Sequence, residues 1–365
     1  MTEATENIEL KTFEFLKELG ADINGTQSIK NFTSVGEELN SLFNGVALRY
    51  LSSKSIFELK GKDTLDFLNR IATNSLKNLQ KGQLQRTFFT TEKGRIIDLT
   101  TVVNFEDYNL LICNKENKDK IYSWISRYII ADDVIINDTQ NKYSLLELIG
   151  PQANSFITLL TGNGISEMEG NQLKVVDTEG MMFFVLKLFE LNGEIKYWLV
   201  SDQETGKKLV KYIVENKGPY NFNLVGEDAY NLYRIEKGYP SAPEELNDKY
   251  NPHELGLINL VDFNKGCYIG QEIIARLDAD QKVQRHLKSV VIDSEINVEL
   301  PLLLYDKDNN EAGEITSLSY CENNKKTFGL AFVKKAYVEN ETQLSAKLNG
   351  GQSLNVLITN LPIKK

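Results

Sequence analysis

Arg86-Thr87-Phe88-Phe89-Thr90, then Glu92-Lys93-Gly94, then Ile96-Ile97-Asp98-Leu99-Thr100-Thr101-Val102-Val103 reads as two strands joined by a Gly-containing turn. Tyr108-Asn109-Leu110-Leu111-Ile112-Cys113 supplies a third strand, and the apolar spacing from Lys118 to Ile130 predicts an amphipathic helix. Working back toward the N-terminus, Val46–Leu51 and Ser55–Leu59 read as strands, the second ended by Gly61. Asp63 is placed to cap a short helix carrying Leu65, Phe67, Leu68 and Ile71, and Asn7 to Leu19 reads as a further amphipathic helix. Strands and helices interleave without a regular βαβ rhythm, which favours an α+β fold.

The tail differs. From His286 onward six short runs have strand character: Leu287–Ile292, Leu302–Tyr305, Gly313–Tyr320, Phe328–Val333, Gln343–Leu348 and Leu354–Thr359. Turn clusters such as Asp306-Lys307-Asp308-Asn309-Asn310 and Asn349-Gly350-Gly351 separate them, so a small β-barrel is expected. The expected division is a body over 1–280, with one lobe at roughly 51–140, and a barrel over 281–365.

Composition narrows the function. With 365 residues the chain exceeds one ordinary core, and 51 Asp+Glu against 41 Lys+Arg leave a net charge of −10. Phosphate neutralisation needs a dense basic face, so a general nucleic-acid binder is excluded. No window holds 18 uninterrupted apolar residues, and the acidic start Met1-Thr2-Glu3-Ala4-Thr5-Glu6 argues against a secretory or transit segment. Cys113, Cys267 and Cys321 are scattered, which fits a reducing compartment, and the expectation is a cytoplasmic protein without membrane contact. With His253 and His286 the only histidines and no Cys-x-x-Cys, no intrinsic metal site is expected. Gly162-x-Gly164 lacks the third glycine and the Lys-Ser/Thr of a phosphate loop and reads as a turn.

Chemistry-bearing residues concentrate between Tyr230 and Arg276. In Lys265-Gly266-Cys267-Tyr268-Ile269-Gly270-Gln271-Glu272, two glycines bracket Cys267 and a helix is expected from Gln271. A thiol ahead of a helix and near a lysine is a candidate nucleophile, and an inert buried Cys between two turns is the plain alternative. Arg234 and Glu236 lie on an expected helix in an apolar context, as a structural ion pair or as ligand contacts.

The Lys265–Glu272 string resembles the signature of the YgfZ family of folate-binding proteins. These are relatives of the T-protein (aminomethyltransferase) of the glycine cleavage system. Blocks at Gly61–Arg70, Glu92–Asp98, Gly150–Ala153, Arg234–Gly238 and Pro252–Gly256 resemble the shared pattern as well, and residues 1–40 fall outside it. The resemblance implies a cloverleaf of ferredoxin-like lobes around a folate cavity, with a C-terminal barrel, and tetrahydrofolate or a one-carbon derivative as cofactor. It implies a role in iron–sulfur cluster assembly or repair, with assembly or client proteins as partners. Cys267 becomes the functional thiol and a possible shared cluster ligand. Lys265, Gly266, Tyr268, Gly270, Gln271 and Glu272 become its loop, and Arg234, Asp98 and Glu236 folate-site residues.

Two departures from the T-protein stand out. Asp98 is followed by Leu99 where the T-protein has a second aspartate. The stretch Glu190-Leu191-Asn192-Gly193-Glu194 does not reproduce its Gly-Tyr-Thr-Gly-Glu segment. On these grounds cluster maintenance is the first expectation, and aminomethyl transfer the alternative.

Overall fold

The computed structural model describes residues 3–24, 28–139, 142–165, 167–190, 193–280, 282–348 and 353–363. They divide into two compact units, one of residues 1–87 and 99–230, the other of residues 88–98 and 231–365. Residues 231–280, expected within the body, cluster instead with the barrel residues. A contiguous split at 280 misses this, because the chain leaves the first unit at Thr87, turns through 88–98 and returns.

The first unit is built on a six-stranded sheet in the order Gln172–Thr178, Met181–Phe189, Ile195–Asp202, Tyr143–Ile149, Val46–Tyr50 and Phe222–Leu224. All pairings are antiparallel except the last, where Phe222–Leu224 runs parallel to Val46–Leu48. Alternate residues separate its two faces. Leu146, Leu148, Tyr197 and Leu199 pack with Phe156, Leu209 and Ile213 of the helices Ala153–Thr161 and Gln203–Glu215, while Leu145, Trp198 and Val200 join a second core.

The expected hairpin is present as Leu84–Thr90 and Ile96–Asn104, in a five-stranded sheet completed by Asn109–Asn114, Lys54–Lys60 and Ile135–Asp138. Its tip, Phe88–Asp98, belongs to the second unit. The helix after Gly61 spans Thr64–Ile71, but Asp63 makes no side-chain cap. Its Oδ2 instead accepts from the backbone N–H of Asp133 at 2.9 Å, and Thr64 Oγ1 donates to the Gly61 carbonyl. The N-terminal helix, Glu3–Glu18, begins four residues before the expected start.

Six tail strands close into a barrel in the order Arg285–Ile292, Lys326–Lys334, Glu311–Cys321, Leu302–Tyr305, Gln343–Lys347 and Ser353–Thr359. The i, i+2 pairs Val290/Ile292, Ala331/Val333, Leu344/Ala346 and Val356/Ile358 form its interior. The predicted turn Asn349-Gly350-Gly351 lies outside the described residues.

Gly61 and Gly36 test how local geometry holds this fold. At Gly61 φ is +118°, and a Cβ would stand 1.9 Å from the Asp133 carbonyl oxygen; at Gly36, inside the Val35–Asn44 helix, a Cβ would meet nothing. Gly61→Ala is expected to cost more than about 2 kcal/mol, whereas Gly36→Ala should stabilise by up to about 1 kcal/mol. Urea unfolding of both variants reads the contrast.

Candidate functional site

In the second unit the Lys265–Glu272 loop is seated on the hairpin tip. Thr90 Oγ1 donates to the Ile269 carbonyl at 2.9 Å, and Gly270, at φ +87°, comes so close that a Cβ would lie 2.6 Å from the Thr91 carbonyl oxygen. Gly270 is therefore a steric requirement. Gly266 is not, since a Cβ there would enter open space. Beneath the loop Val261, Tyr268 and Ile274 make a small core, and a ring nitrogen of His253 lies 2.9 Å from the Ile274 carbonyl.

Cys267 is exposed, while Cys113 and Cys321 are buried. The helix after it, Gln271–Asp280, begins four residues on, so Cys267 stands outside the first turn where a helix dipole acts. Gln271 is half-buried and Glu272 exposed. Lys265 is the perturbed group here. Burial brings its ammonium down to about 8, only partly opposed by Asp262, and Nζ lies 5.3 Å from the Tyr268 ring centroid. The Tyr268 hydroxyl is buried with no hydrogen-bond partner among the described residues, and burial, then Asp262, raises it to about 12.

Arg234, expected at the folate, has its fork engaged by protein. Nε donates to Asn231 at 2.8 Å, Nη1 to the Tyr239 carbonyl and to Glu245 at 3.3 Å, and Nη2 to Ser317 Oγ at 2.8 Å. Glu245 is fully buried and also accepts from Ser317, Thr316 and the Ser241 backbone. Arg234 thus ties its helix to a barrel strand. Glu236 is 4% exposed. Asp98, on the strand leaving the hairpin tip, is fully buried and presents no surface.

A second constellation, in the first unit, escaped the sequence reading. Glu147 accepts from Arg49 at 2.7 Å, Lys196 at 3.0 Å and Trp198 Nε1 at 3.0 Å. Lys196 also pairs with Glu190, which Arg86 holds at 2.9 Å. Arg49 reaches Glu227 at 3.1 Å, its guanidinium 3.1 Å from the Tyr230 ring centroid. Burial alone would raise the Glu147 carboxyl, but Lys196 and Arg49 outweigh it and hold it at about 2. Lys196 is likewise buried yet pushed up by Glu147 and Glu190. The available signal was a charge inside an apolar strand: Glu147 in Leu145-Leu146-Glu147-Leu148-Ile149, and Lys196 in Ile195-Lys196-Tyr197-Trp198.

Residues 13–265 match the GCVT N-terminal domain family. The chain belongs to that family. It is 28% identical over 337 residues to an aminomethyltransferase of Caldanaerobacter subterraneus subsp. tengcongensis, covering 91% of this chain and 86% of that protein. An aminomethyltransferase of Thermotoga maritima is 26% identical and covers 96% of each chain. A putative chloroplastic transferase of Arabidopsis thaliana is 27% identical, over 91% of this chain and 76% of its own. The crystal structure of glycine cleavage system aminomethyltransferase T from Bartonella henselae superposes with a TM-score of 0.82 at 17% identity, covering 96% of each, and shares the fold. Of the two related families that the sequence resembles, these matches support the aminomethyltransferase side. The family match stops at 265, two residues before Cys267.

Two predictions test this electrostatics. Lys265 has a folded pKa below its unfolded value, so its burial penalty is fully carried below pH 8 and relieved as pH rises toward 10.5. Lys265→Met should therefore be more stable than wild type at pH 7, with the advantage shrinking near pH 10, read by urea unfolding. The depressed Glu147 contributes stability that is present above pH 4.5 and lost as pH falls toward 2. Lys196→Met, which leaves two buried carboxylates short of a cation, should cost about 3 kcal/mol or more at pH 7 by the same measurement.

Proposed function

We propose that this chain binds tetrahydrofolate, or a one-carbon derivative of it, and acts as an aminomethyltransferase-like transferase. The observation that carries this reading is the extent of the family likeness: relatives named aminomethyltransferase align over nine-tenths or more of the chain. The reading placed second on sequence grounds is thereby the better supported. The ferredoxin-like lobes and folate cavity implied by the resemblance are part of the proposal. Asp98, a folate-site residue on the resemblance, would take up the proton of the folate amine as that amine bonds to the aminomethyl carbon, the carbon–sulfur bond to the lipoyl carrier breaks and ammonia leaves. Its full burial would keep such a carboxylate dry, and folate entry has to uncover it. Because the Arg234 fork is held by Glu245, Ser317, Asn231 and Tyr239, its part is to hold the surrounding backbone unless a ligand displaces one of them.

The second reading, iron–sulfur cluster assembly or repair through Cys267, keeps one specific support: Cys267 is exposed while the other two cysteines are buried. Aminomethyl transfer has no use for that thiol. A cytoplasmic location goes with both readings.

One pair of variants separates them. Glycine-dependent methylene-tetrahydrofolate formation with a lipoyl carrier protein should be retained in Cys267→Ala and fall at least about a hundredfold in Asp98→Asn. Tetrahydrofolate should raise the unfolding temperature of both variants. If wild type shows no transfer, while cluster-dependent enzymes in the host need Cys267 and not Asp98, the second reading replaces the first.

A further inference from the structure

Lys265 and Tyr268, in the loop seated on the hairpin tip, stand one over the other, with Nζ 5.3 Å from the centroid of the Tyr268 ring. The lysine is half-buried, so the aromatic face replaces part of the water an ammonium would otherwise hold. Asp262 begins the same turn. Its Oδ1 accepts from the backbone N–H groups of Asn264 at 2.8 Å and Lys265 at 3.2 Å, which fixes the carboxylate in place. Asp262 acts on both side chains, raising the Tyr268 hydroxyl and partly restoring the Lys265 ammonium, so carboxylate, amine and phenol form one cluster. Neither Lys265 nor Tyr268 carries a step in the two readings above.

The phenol is the second observation. Tyr268 is 7% exposed, and its hydroxyl is buried with no hydrogen-bond partner among the described residues. A buried donor left unanswered is costly, and so is an ammonium drawn out of water. One kind of ligand relieves both: a group that removes the charge from the nitrogen and sets an oxygen beside the hydroxyl. A carbonyl compound does so when the amine adds to it. Burial supplies the neutral amine, holding the Lys265 ammonium at about 8 against the pull of Asp262. Burial, then Asp262, keeps the proton on Tyr268 by raising it to about 12. Approach is open over Gly266, where a Cβ would meet nothing, between the exposed Asn264 and Cys267.

We propose that Lys265 is a reversible covalent binding site for a small neutral aldehyde, with Tyr268 as its proton donor. Nζ bonds to the carbonyl carbon, the π electrons pass to oxygen, and the proton lost by nitrogen moves to that oxygen to give a carbinolamine. The Tyr268 hydroxyl then protonates the carbinolamine oxygen and water leaves. The nitrogen lone pair completes the C=N bond, and the last proton on nitrogen returns to the tyrosine oxygen. Amine and aldehyde thus become imine and water, with no oxidant or reductant. Desolvated lysines are the usual groups for this chemistry. Asp262 selects against anionic carbonyl compounds such as keto acids, and the half-buried setting limits size. The site is independent of the folate reading.

Acetaldehyde is the probe. Borohydride added after equilibration fixes the imine as an ethylated lysine, which peptide mass mapping of the full chain locates and counts. At pH 7 about a tenth of an amine titrating near 8 is neutral, against roughly one part in 2,500 for a lysine of ordinary basicity. Lys265 should therefore be ethylated at least about tenfold more than the exposed Lys93 and Lys249, and its labelling should level off above pH 8. Asp262→Asn, which keeps the Oδ1 acceptor and removes the charge, should move that plateau to lower pH. Tyr268→Phe should slow the approach to final labelling at least about fivefold and unfold at or above the wild-type temperature, since the deleted hydroxyl has no partner among the described residues. Cys267→Ala should label Lys265 as wild type does, and glyoxylate should label it less than acetaldehyde relative to the same two lysines. Labelling of Lys265 no greater than that of Lys93 and Lys249 overturns the proposal. So does a plateau unmoved in Asp262→Asn, an unchanged rate in folded Tyr268→Phe, loss of labelling in Cys267→Ala, or a preference for glyoxylate.

Discussion

Glu147 is surrounded by Arg49, Lys196 and Trp198 in a sheet whose buried faces are otherwise largely apolar, and it can be ionised there only because all three donors are present. The constraint propagates. Lys196 cannot serve Glu147 alone, since it also neutralises Glu190, which in turn needs Arg86. The strands at Val46–Tyr50, Tyr143–Ile149 and Ile195–Asp202 are thereby locked in register by charge as well as by their ladders, because a slip of one residue would turn a buried ion to the opposite face. A hydrophobic sheet of the same shape would tolerate such a slip far better. Pairing of this kind specifies one arrangement at a desolvation cost that only the complete set of partners offsets.

The second unit uses the same device on a smaller scale. Glu245, with no exposed surface, gathers Arg234, Thr316, Ser317 and the Ser241 backbone, so a helix, a loop and a barrel strand converge on one carboxylate. In the same unit Glu254 joins Arg95 of the hairpin tip to Arg285 at the start of the barrel, at 3.2 and 3.0 Å. The Lys265–Glu272 loop rests on this frame through Gly270 and Thr90. The exposed thiol of Cys267 is therefore presented by a well-anchored loop, and the Lys265 ammonium two residues before it is held down by burial.

Much of the fold was legible in the order of residues. The hairpin around Glu92-Lys93-Gly94 and the six tail strands were readable because alternation of apolar residues and turn chemistry are local signals, and the observed strands differ from the expected ones by a residue or two at their ends. The string Lys265–Glu272 stood out for the same reason, its glycines and rare residue types being contiguous, but the family match ends at 265 and does not extend over it. The capping role expected for Asp63 failed because a tertiary partner, the Asp133 backbone seventy positions away, claimed the carboxylate.

What the sequence by itself determined, then, is the set of strands, helices and turns, the acidic balance, and the one segment rich in reactive groups. Only the tertiary structure decided which charges are buried and with whom. Arg49 and Glu147 are 98 positions apart and Arg86 and Glu190 are 104 apart, and each pair owes its strength to a desolvation that no local pattern encodes. The structure likewise committed Arg234 to Glu245 and set Lys265 over the Tyr268 ring. Propensity and periodicity act between neighbours along the chain, whereas a dielectric environment exists only once distant segments have closed around a group.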